Sequence, residues 1–436
     1  MSLAVHDWSS LGEKERTALL ARPVADDRAA LAETVARIVG EVRTGGDAAL
    51  LALTARFDKV VLAGLRVTQA ELDEAELELT AVQRAALERA IANVRCFHEA
   101  QRSAPLRVET SPGVVCERFE TPISAVGIYV PAGSAPLPSA AIMSAVPAAI
   151  AGCALRVLCT PPRIDGRADP AILVAARLCG VTDIFKVGGA QAIAAMAYGT
   201  GTIPKVDKIF GPGNAWVTAA KLLVAQDPAG AAYDLPAGPS EVLVIADEDA
   251  NPEFVAADLL AQAEHDPSSQ VVLLTPSRPL AERTISAIDR QQQALSRRAI
   301  TAQALRRSRV ILVADLDTAL DVSNTYAPEH LILQVKDARR WLPKVKAAGS
   351  VFLGAWTPEP MGDYCSGTNH VLPTYGYARA FSGLALADFM RRITVQELTP
   401  AGLADLGPVA VTLALLEGLD AHANAVSVRL RALEER

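Results

Sequence analysis

The chain has 436 residues and a mass of 45.9 kDa, a length that corresponds to one to three domains. Hydrophobic residues make up 50% and charged residues 21% of the chain, a composition that excludes intrinsic disorder. The net charge of −7 and the isoelectric point near 5.5 argue against a broad basic face, so we expect no nucleic-acid partner.

Cysteine usage and the N-terminal residues indicate a reducing compartment. The six cysteines contain no CxxC pair, which argues against a disulfide scaffold and a thiolate zinc ribbon. The first residues have neither the basic region nor the apolar core of a secretory signal. An uncharged stretch from Thr121 to Leu155 is interrupted by five prolines, so we expect no membrane-spanning helix. The sequence predicts a soluble, cytoplasmic protein with no membrane partner.

The spacing of apolar residues predicts helices first, over 26–44 and 71–101. Short apolar runs then alternate with helical segments, an order typical of parallel sheets covered by helices on both faces. In the first run the predicted strands are 125–130, 155–159, 183–187 and 208–210, and the predicted helices are 139–151, 170–179, 190–198 and 215–226.

A Pro/Gly-rich break near 236–239 precedes a second run, and the tail from residue 387 returns to helix. In the second run the predicted strands are 241–246, 270–275, 310–313, 330–335 and 350–353, and the predicted helices are 252–265, 279–296, 316–324 and 338–347. We therefore predict an α/β fold with two Rossmann-like parallel-sheet domains and helical N- and C-terminal appendages.

The six histidines are the first candidates for metal binding and acid–base chemistry. Gln262 and His265 are three residues apart and project from one face of the last turn of a predicted helix. Taken alone, a histidine that interacts with the helix dipole is the simpler explanation. Glu329 and His330 open a predicted strand, away from the carboxyl ends where sites of α/β proteins cluster. They are either a solvated turn or an acid–base pair.

Two further candidates lie in a polar, Gly-rich loop over 361–377, long enough to be functional. Asp363 could supply an oxygen ligand, whereas His370 could as easily satisfy buried backbone groups. His422, with Glu417 five residues earlier, fits a charged surface helix.

Three glycine loops, at 130–134, 188–191 and 211–214, each follow a strand and precede a helix, where backbone amides could hold an anion. None of them matches GxGxxG, so the spacing alone indicates only a possible nucleotide or anion site.

Longer motifs run in order over nearly the whole chain. They are GGDAAL from Gly45, VGIYVP from Val126, VGGAQAIAA from Val187, FGPGN from Phe210, AGPSEVLV from Ala237, AQAEHD from Ala261, APEHL from Ala327, TNHVLPT from Thr368 and EGLDAH from Glu417. In these motifs the chain resembles the histidinol dehydrogenase family. Ala132 departs from the family pattern, because a second glycine is common there.

The resemblance implies oxidation of L-histidinol to L-histidine through an enzyme-held aldehyde, with reduction of two NAD. It also implies a homodimer with one zinc ion per subunit and shared active sites. The implied zinc ligands are Gln262, His265, Asp363 and His422, of which His422 comes from the partner subunit. The implied substrate contacts are Ser240, Gln262, His265, His330, Asp363, Glu417 and His422, and the implied NAD contacts are Tyr129, Gln191 and Asn214.

The catalytic roles implied by the resemblance fall on two adjacent residues. His330 would remove the alcohol proton as hydride leaves to NAD, and Glu329 would activate the water that adds to the aldehyde. The N/O ligand set suits zinc and leaves manganese open. No cysteine receives a role.

With the resemblance, we assign an N-terminal helical segment (1–22), a discontinuous zinc and substrate domain (23–128 plus 238–381), an NAD domain (129–237) and a C-terminal helical appendage (382–436). Two rivals remain at this point. A zinc hydrolase would use the same ligands without NAD, and a non-catalytic binding protein would leave Glu329 and His330 unexplained.

Overall fold

The structure is a computed structural model that describes residues 3–22, 28–133, 135–236 and 238–435. The strands in chain order are β1 Ala4–Asp7, β2 Leu106–Ser111, β3 Val114–Pro122, β4 Ala125–Tyr129, β5 Leu155–Thr160, β6 Asp183–Lys186, β7 Lys208–Phe210, β8 Ala232–Tyr233, β9 Glu241–Ala246, β10 Gln270–Thr275, β11 Arg309–Leu312, β12 His330–Gln334, β13 Ser350–Leu353 and β14 Met390–Leu398.

The helices are α1 Glu13–Leu20, α2 Arg28–Phe57, α3 Gln69–Glu78, α4 Ala81–Glu99, α5 Pro138–Ala151, α6 Pro170–Leu178, α7 Gly189–Tyr198, α8 Ala215–Ala225, α9 Pro252–Ala263, α10 Arg278–Gln291, α11 Arg298–Leu305, α12 Leu316–Tyr326, α13 Ala338–Trp341, α14 Glu359–Tyr364, α15 Pro400–Leu416 and α16 Asp420–Glu434.

The chain divides into two compact units. The first unit comprises Met1–Ala100 and Ser124–Leu386, and the second comprises Gln101–Ile123 and Ala387–Arg436. Both parallel sheets lie in the first unit. This division does not separate the predicted zinc and NAD domains, so their boundaries stay a prediction. The boundary at residue 23 and the predicted helix start at residue 26 fall outside the described residues.

Two all-parallel sheets form the first unit. One sheet has the strand order β1-β11-β10-β9-β12-β13, and the other has the order β6-β5-β4-β7-β8. Every residue of β9, β10 and β12 is buried, as expected for central parallel strands whose two faces are covered. The predicted α/β fold with two parallel sheets is confirmed.

The second unit contains an antiparallel sheet of order β14-β3-β2 and the helices α15 and α16. The tail, expected to be helical, therefore begins with a nine-residue strand. The N-terminal segment also differs from the prediction, since β1 precedes α1 and pairs in parallel with β11.

Local sequence explains two other differences. The helix predicted over 71–101 is divided at Thr80, whose hydroxyl oxygen accepts the N–H of Gln83 and caps α4. The helix predicted over 338–347 ends at Trp341, two residues before Pro343. Among the described residues, no helix is both long enough and apolar enough to cross a membrane.

Candidate active site

Most of the predicted zinc and catalytic residues lie at the amino edge of the six-stranded sheet. His330 is the first residue of β12, Ser240 directly precedes β9, and Gln262 lies in the last turn of α9. A helix that connects parallel strands runs back toward the edge where the strands begin, so its C-terminal turn lies beside those strand starts. Sites of α/β proteins usually occupy the opposite edge, which is why the strand position of His330 gave no decisive signal in the sequence.

Four side chains at this edge form what we call the donor cluster: Gln262, His265, Glu359 and Asp363. Ligand atoms of His265, Glu359 and Asp363 all lie within 4.8 Å of one another. Both amide atoms of Gln262 and, when the group is ionised, both carboxylate oxygens of Glu359 are buried and have no hydrogen-bond partner among the described residues. Buried polar groups are nearly always paired, so these orphaned donor atoms indicate that the cluster binds a ligand. Its nitrogen and oxygen donors fit a divalent metal ion such as zinc.

A neutral imidazole and an ionised carboxylate favour metal binding by the donor cluster. Desolvation by the surrounding groups lowers the pKa of His265, although the residue is exposed in the single chain, and a neutral ring can bind a metal. Burial alone would raise the pKa of Asp363, but the hydrogen bond and charge of His330 outweigh it and hold that pKa well below its usual value. Burial and the charge of Asp363 raise the pKa of Glu359 far above its usual value.

Glu329 and His330, here called the catalytic pair, are both held by the main chain of Glu241. The Glu241 N–H donates to Glu329 Oε2 at 2.8 Å, and His330 Nδ1 lies 3.0 Å from the Glu241 carbonyl oxygen. In the neutral ring, a proton on Nδ1 that donates to this carbonyl leaves His330 Nε2 as the acceptor. Nε2 lies 3.4 Å from Oδ1 of Asp363, which places the catalytic pair against the donor cluster.

The two members of the catalytic pair perturb each other's ionisation. Burial raises the pKa of Glu329 to about 8. For His330, burial acts to lower the pKa, but the negative charges of Glu329, Asp363 and Glu359 outweigh it and raise the pKa to about 10. Such perturbed groups beside unpaired metal donors are typical of a catalytic site.

The predicted NAD contacts lie at the carboxyl edge of the five-stranded sheet. Tyr129 ends β4, Gln191 lies in the first turn of α7, and Asn214 is the N-cap of α8. The Tyr129 hydroxyl accepts the N–H of Gly189 at 3.0 Å. A Cβ atom on Gly211, at φ 112°, would lie 2.1 Å from the Tyr129 carbonyl oxygen, so only glycine fits there. This edge and its helix N-termini are typical of dinucleotide binding, although GxGxxG is missing.

Comparison with known proteins identifies the family. A family model described as histidinol dehydrogenase matches residues 21–430. A histidinol dehydrogenase of Vibrio vulnificus is 54% identical over 98% of this chain and 99% of the relative, and one of Xanthomonas campestris pv. campestris is 56% identical over 97% and 98%. The crystal structure of histidinol dehydrogenase from Elizabethkingia anophelis matches with a TM-score of 0.95 and 45% identity, covering 100% of this chain and 99% of that one.

The chain belongs to the histidinol dehydrogenase family. This confirms the resemblance inferred from the motifs and makes the chain an oxidoreductase. The hydrolase and the non-catalytic binding protein are thereby ruled out as alternatives.

Glu359 is the member of the donor cluster that sequence reasoning missed. It opens α14, and its position four residues before Asp363 puts both side chains on one helix face. The sequence Pro358-Glu-Pro360 contained a signal, because proline is favoured at helix starts and an i,i+4 carboxylate pair can hold a cation. Because residues 361–377 were predicted to form a loop, α14 was not predicted.

His370 has a structural role, which is contact with a backbone group. Its Nδ1 lies 2.7 Å from the backbone oxygen of Asp363, and the residue is partly buried. Burial lowers the pKa of His370, so the neutral ring can donate from Nδ1 and anchor the end of α14. His370 therefore satisfies a buried backbone group, as its second interpretation predicted.

The last two residues implied by the family resemblance lie in the second unit. Glu417 caps the C-terminus of α15, and His422 lies in the first turn of α16. Both side chains are exposed in the single chain. Exposure leaves them available to another subunit, and their roles stay predictions.

Proposed function

We propose that this enzyme oxidises L-histidinol to L-histidine in two successive steps, each of which transfers a hydride to NAD, in the cytoplasm. The observation that carries the proposal is the catalytic pair, buried directly against the donor cluster, in which Gln262 and the ionised Glu359 have no hydrogen-bond partner among the described residues. Family membership supplies the substrate, because the relatives are described as histidinol dehydrogenases.

The metal in this proposal is zinc, held by Gln262, His265 and Asp363 together with His422 of a second subunit. When bound, zinc would orient the imidazole and amino nitrogens of the substrate. Glu359 would be a further carboxylate ligand or would hold the cationic substrate, since its two oxygens have no other partner among the described residues. Ser240 and Glu417 would contact the substrate.

In the first oxidation His330 accepts the alcohol proton at Nε2 while hydride leaves for the nicotinamide, which gives the aldehyde and NADH. The hydrogen bond from Nδ1 to the Glu241 carbonyl fixes the ring for this transfer. A cation held by Asp363 would cancel part of the negative charge that raises the His330 pKa. It would thereby favour the neutral imidazole that this step needs.

In the second oxidation Glu329 takes a proton from the water that adds to the aldehyde, and the hydrate then gives hydride to a second NAD. Burial of Glu329 suits this role, because a pKa raised to about 8 makes its carboxylate a stronger base. Tyr129, Gln191 and Asn214 would hold each NAD in turn at the carboxyl edge of the five-stranded sheet.

The proposal is tested by the yield of NADH from limiting L-histidinol with zinc-replete enzyme. We expect two NADH per histidinol, loss of turnover with a chelator, and recovery with zinc. A yield of one would show that the aldehyde escapes or that the Glu329-dependent step fails, and no NADH from intact, metal-loaded enzyme would refute the proposal.

The matched variants are His330→Asn and His6→Asn, the second in β1 and outside the site. Loss of the proton acceptor should lower kcat of His330→Asn by about 10²-fold or more while zinc stays bound. His6→Asn should keep wild-type turnover. Retained turnover in His330→Asn would contradict the assigned base.

A further inference from the structure

Arg22 has a nearly buried guanidinium group that contacts Glu241 and the end of α12, which are the two supports of the catalytic pair. Its side chain is 11% exposed and that of Glu241 is 3% exposed. Arg22 Nε lies 2.5 Å from Oε1 of Glu241, and Nη2 lies 2.9 Å from Oε2, which makes a two-point ion pair. The backbone N–H of Tyr375 also donates to Oε1, at 3.1 Å. The Glu241 side chain is therefore held from two sides.

This ion pair bears on the site because Glu241 orients the catalytic pair through its main chain. Its N–H donates to Glu329, and its carbonyl oxygen accepts from His330 Nδ1. A shift of the Glu241 main chain would therefore move the donor of one catalytic residue and the acceptor of the other.

The same guanidinium also holds the segment that leads into the catalytic pair. Nη2 donates to the carbonyl oxygen of Tyr326 at 2.8 Å and to that of Ala327 at 3.3 Å. These carbonyls end α12, where Ala327 adopts φ 53°, and only Pro328 separates Ala327 from Glu329. A cation at a helix C-terminus is favourable, and the guanidinium also stacks 3.9 Å from the ring centre of Tyr326.

We propose that Arg22 is a positioning residue for histidinol oxidation. It fixes Glu241 on one side of the catalytic pair and the end of α12 on the other. Glu329 and His330 thereby keep the orientation in which each accepts its proton, from water and from the alcohol respectively. The inference rests on the proposed roles of those two residues.

Substitution of Arg22 tests this role, with Arg16 as the matched control. Arg16 belongs to the same N-terminal segment, donates to the Trp8 carbonyl at 3.2 and 3.0 Å and stacks on the Trp8 ring, but these contacts do not involve the catalytic pair. Because a small misplacement at a reacting centre can cost up to about 10²-fold in rate, Arg22→Met should lower kcat by about 10- to 100-fold. KM for histidinol and zinc content should stay near wild type.

Arg22→Lys keeps the charge but loses the planar fork, so its kcat should lie between those of the wild type and Arg22→Met. It also carries the test if Arg22→Met does not fold. Arg22→Met combined with Glu241→Gln should lose no more kcat than the worse single variant, because both changes interrupt one path.

Hydrogen exchange gives a readout that does not depend on turnover. The Glu241 amide, which donates to Glu329, should exchange faster in Arg22→Met than in the wild type or Arg16→Met. Wild-type kcat in a folded Arg22→Met, or an equal loss in Arg16→Met, would overturn the inference. If the wild type makes no NADH from histidinol, the proposed function fails, and unchanged exchange at Glu241 would refute the positioning contact separately.

Discussion

Asp258 is a buried carboxyl group beneath the site that the chemistry does not use. Gln334 Nε2 donates to Asp258 Oδ2 at 2.6 Å, and the Gln334 oxygen has no partner among the described residues. Gln334 lies on the same face of β12 as His330, and Asp258 lies one turn before Gln262 on α9. Burial raises the pKa of Asp258 from 3.8 to about 6, although the hydrogen bond from Gln334 opposes the shift.

This shift makes the folded protein less stable as the pH rises. The folded state binds the Asp258 proton more tightly than the unfolded state, so the contribution is complete below pH 3.8 and is lost as the pH rises to about 6. Asp258→Asn removes the charge and offers the Gln334 oxygen an N–H donor. We expect it to raise the free energy of unfolding by about 2 kcal/mol at pH 8, and by less at pH 5.

Denaturant unfolding at pH 8 and pH 5 measures this effect. Asp321→Asn, at an exposed position on α12, is the control and should change neither value. An equal gain at both pH values, or a loss at pH 8, would show that Asp258 is not a buried charge in the folded protein.

At the scale of elements, two glycines of α2 distinguish a steric clash of an added Cβ atom from the conformational strain that it would cause. A Cβ atom at Gly40 or at Gly46 would meet nothing within 4 Å. Gly40 is helical, whereas Gly46 has φ 52° and marks a kink. Gly40→Ala should stabilise the protein by about 0.5–1 kcal/mol because it lowers the entropy of the unfolded chain.

Gly46→Ala should instead destabilise by about 1 kcal/mol or more, since a residue with Cβ adopts that conformation at a cost. The measurement is the unfolding free energy of the two variants beside the wild type. The same sign for both substitutions would contradict the kink at Gly46.

The elements that the sequence predicted are those with a buried apolar run. β9 and β10 match their predicted bounds because central parallel strands are apolar on both faces. β2 and β14 have almost wholly exposed side chains and no buried apolar run, and the short alternation of apolar and polar residues at 106–109 and 393–396 is the signal that the prediction missed. The motifs predicted Gln262, His265 and Asp363 as metal ligands. Glu359 lies outside these motifs, and its place in the donor cluster became evident from the position of α14.

At the scale of the whole molecule, α15 suggests why the enzyme would act as a dimer. Its side chains Val409, Leu413 and Leu416 are large, apolar and exposed in the single chain. Such a face marks an interaction surface. It fits the proposal that a second subunit covers the C-terminal helices and receives His422.

Subunit exchange tests the shared site. Mixing His330→Asn with His422→Gln, each inactive alone, should give heterodimers with one intact site, and an equal mixture should recover about a quarter of wild-type activity. Mixing His330→Asn with Asp363→Asn is the control, because both residues belong to the first unit and every site stays damaged. No recovery in the first mixture after verified exchange would argue against a contribution of His422 in trans.

The pairing of β1 with β11 has a consequence for biosynthesis on the ribosome. Ala4 opposes Arg309, so β1 is made about 300 residues before its partner strand. At ~5–20 residues per second, translation needs roughly 15–60 s to supply that partner. Arg22 has a similar wait, since Glu241 and Tyr326 are also made late. The nascent enzyme therefore remains without its first edge strand and without the guanidinium beside the catalytic pair until most of the chain has been translated.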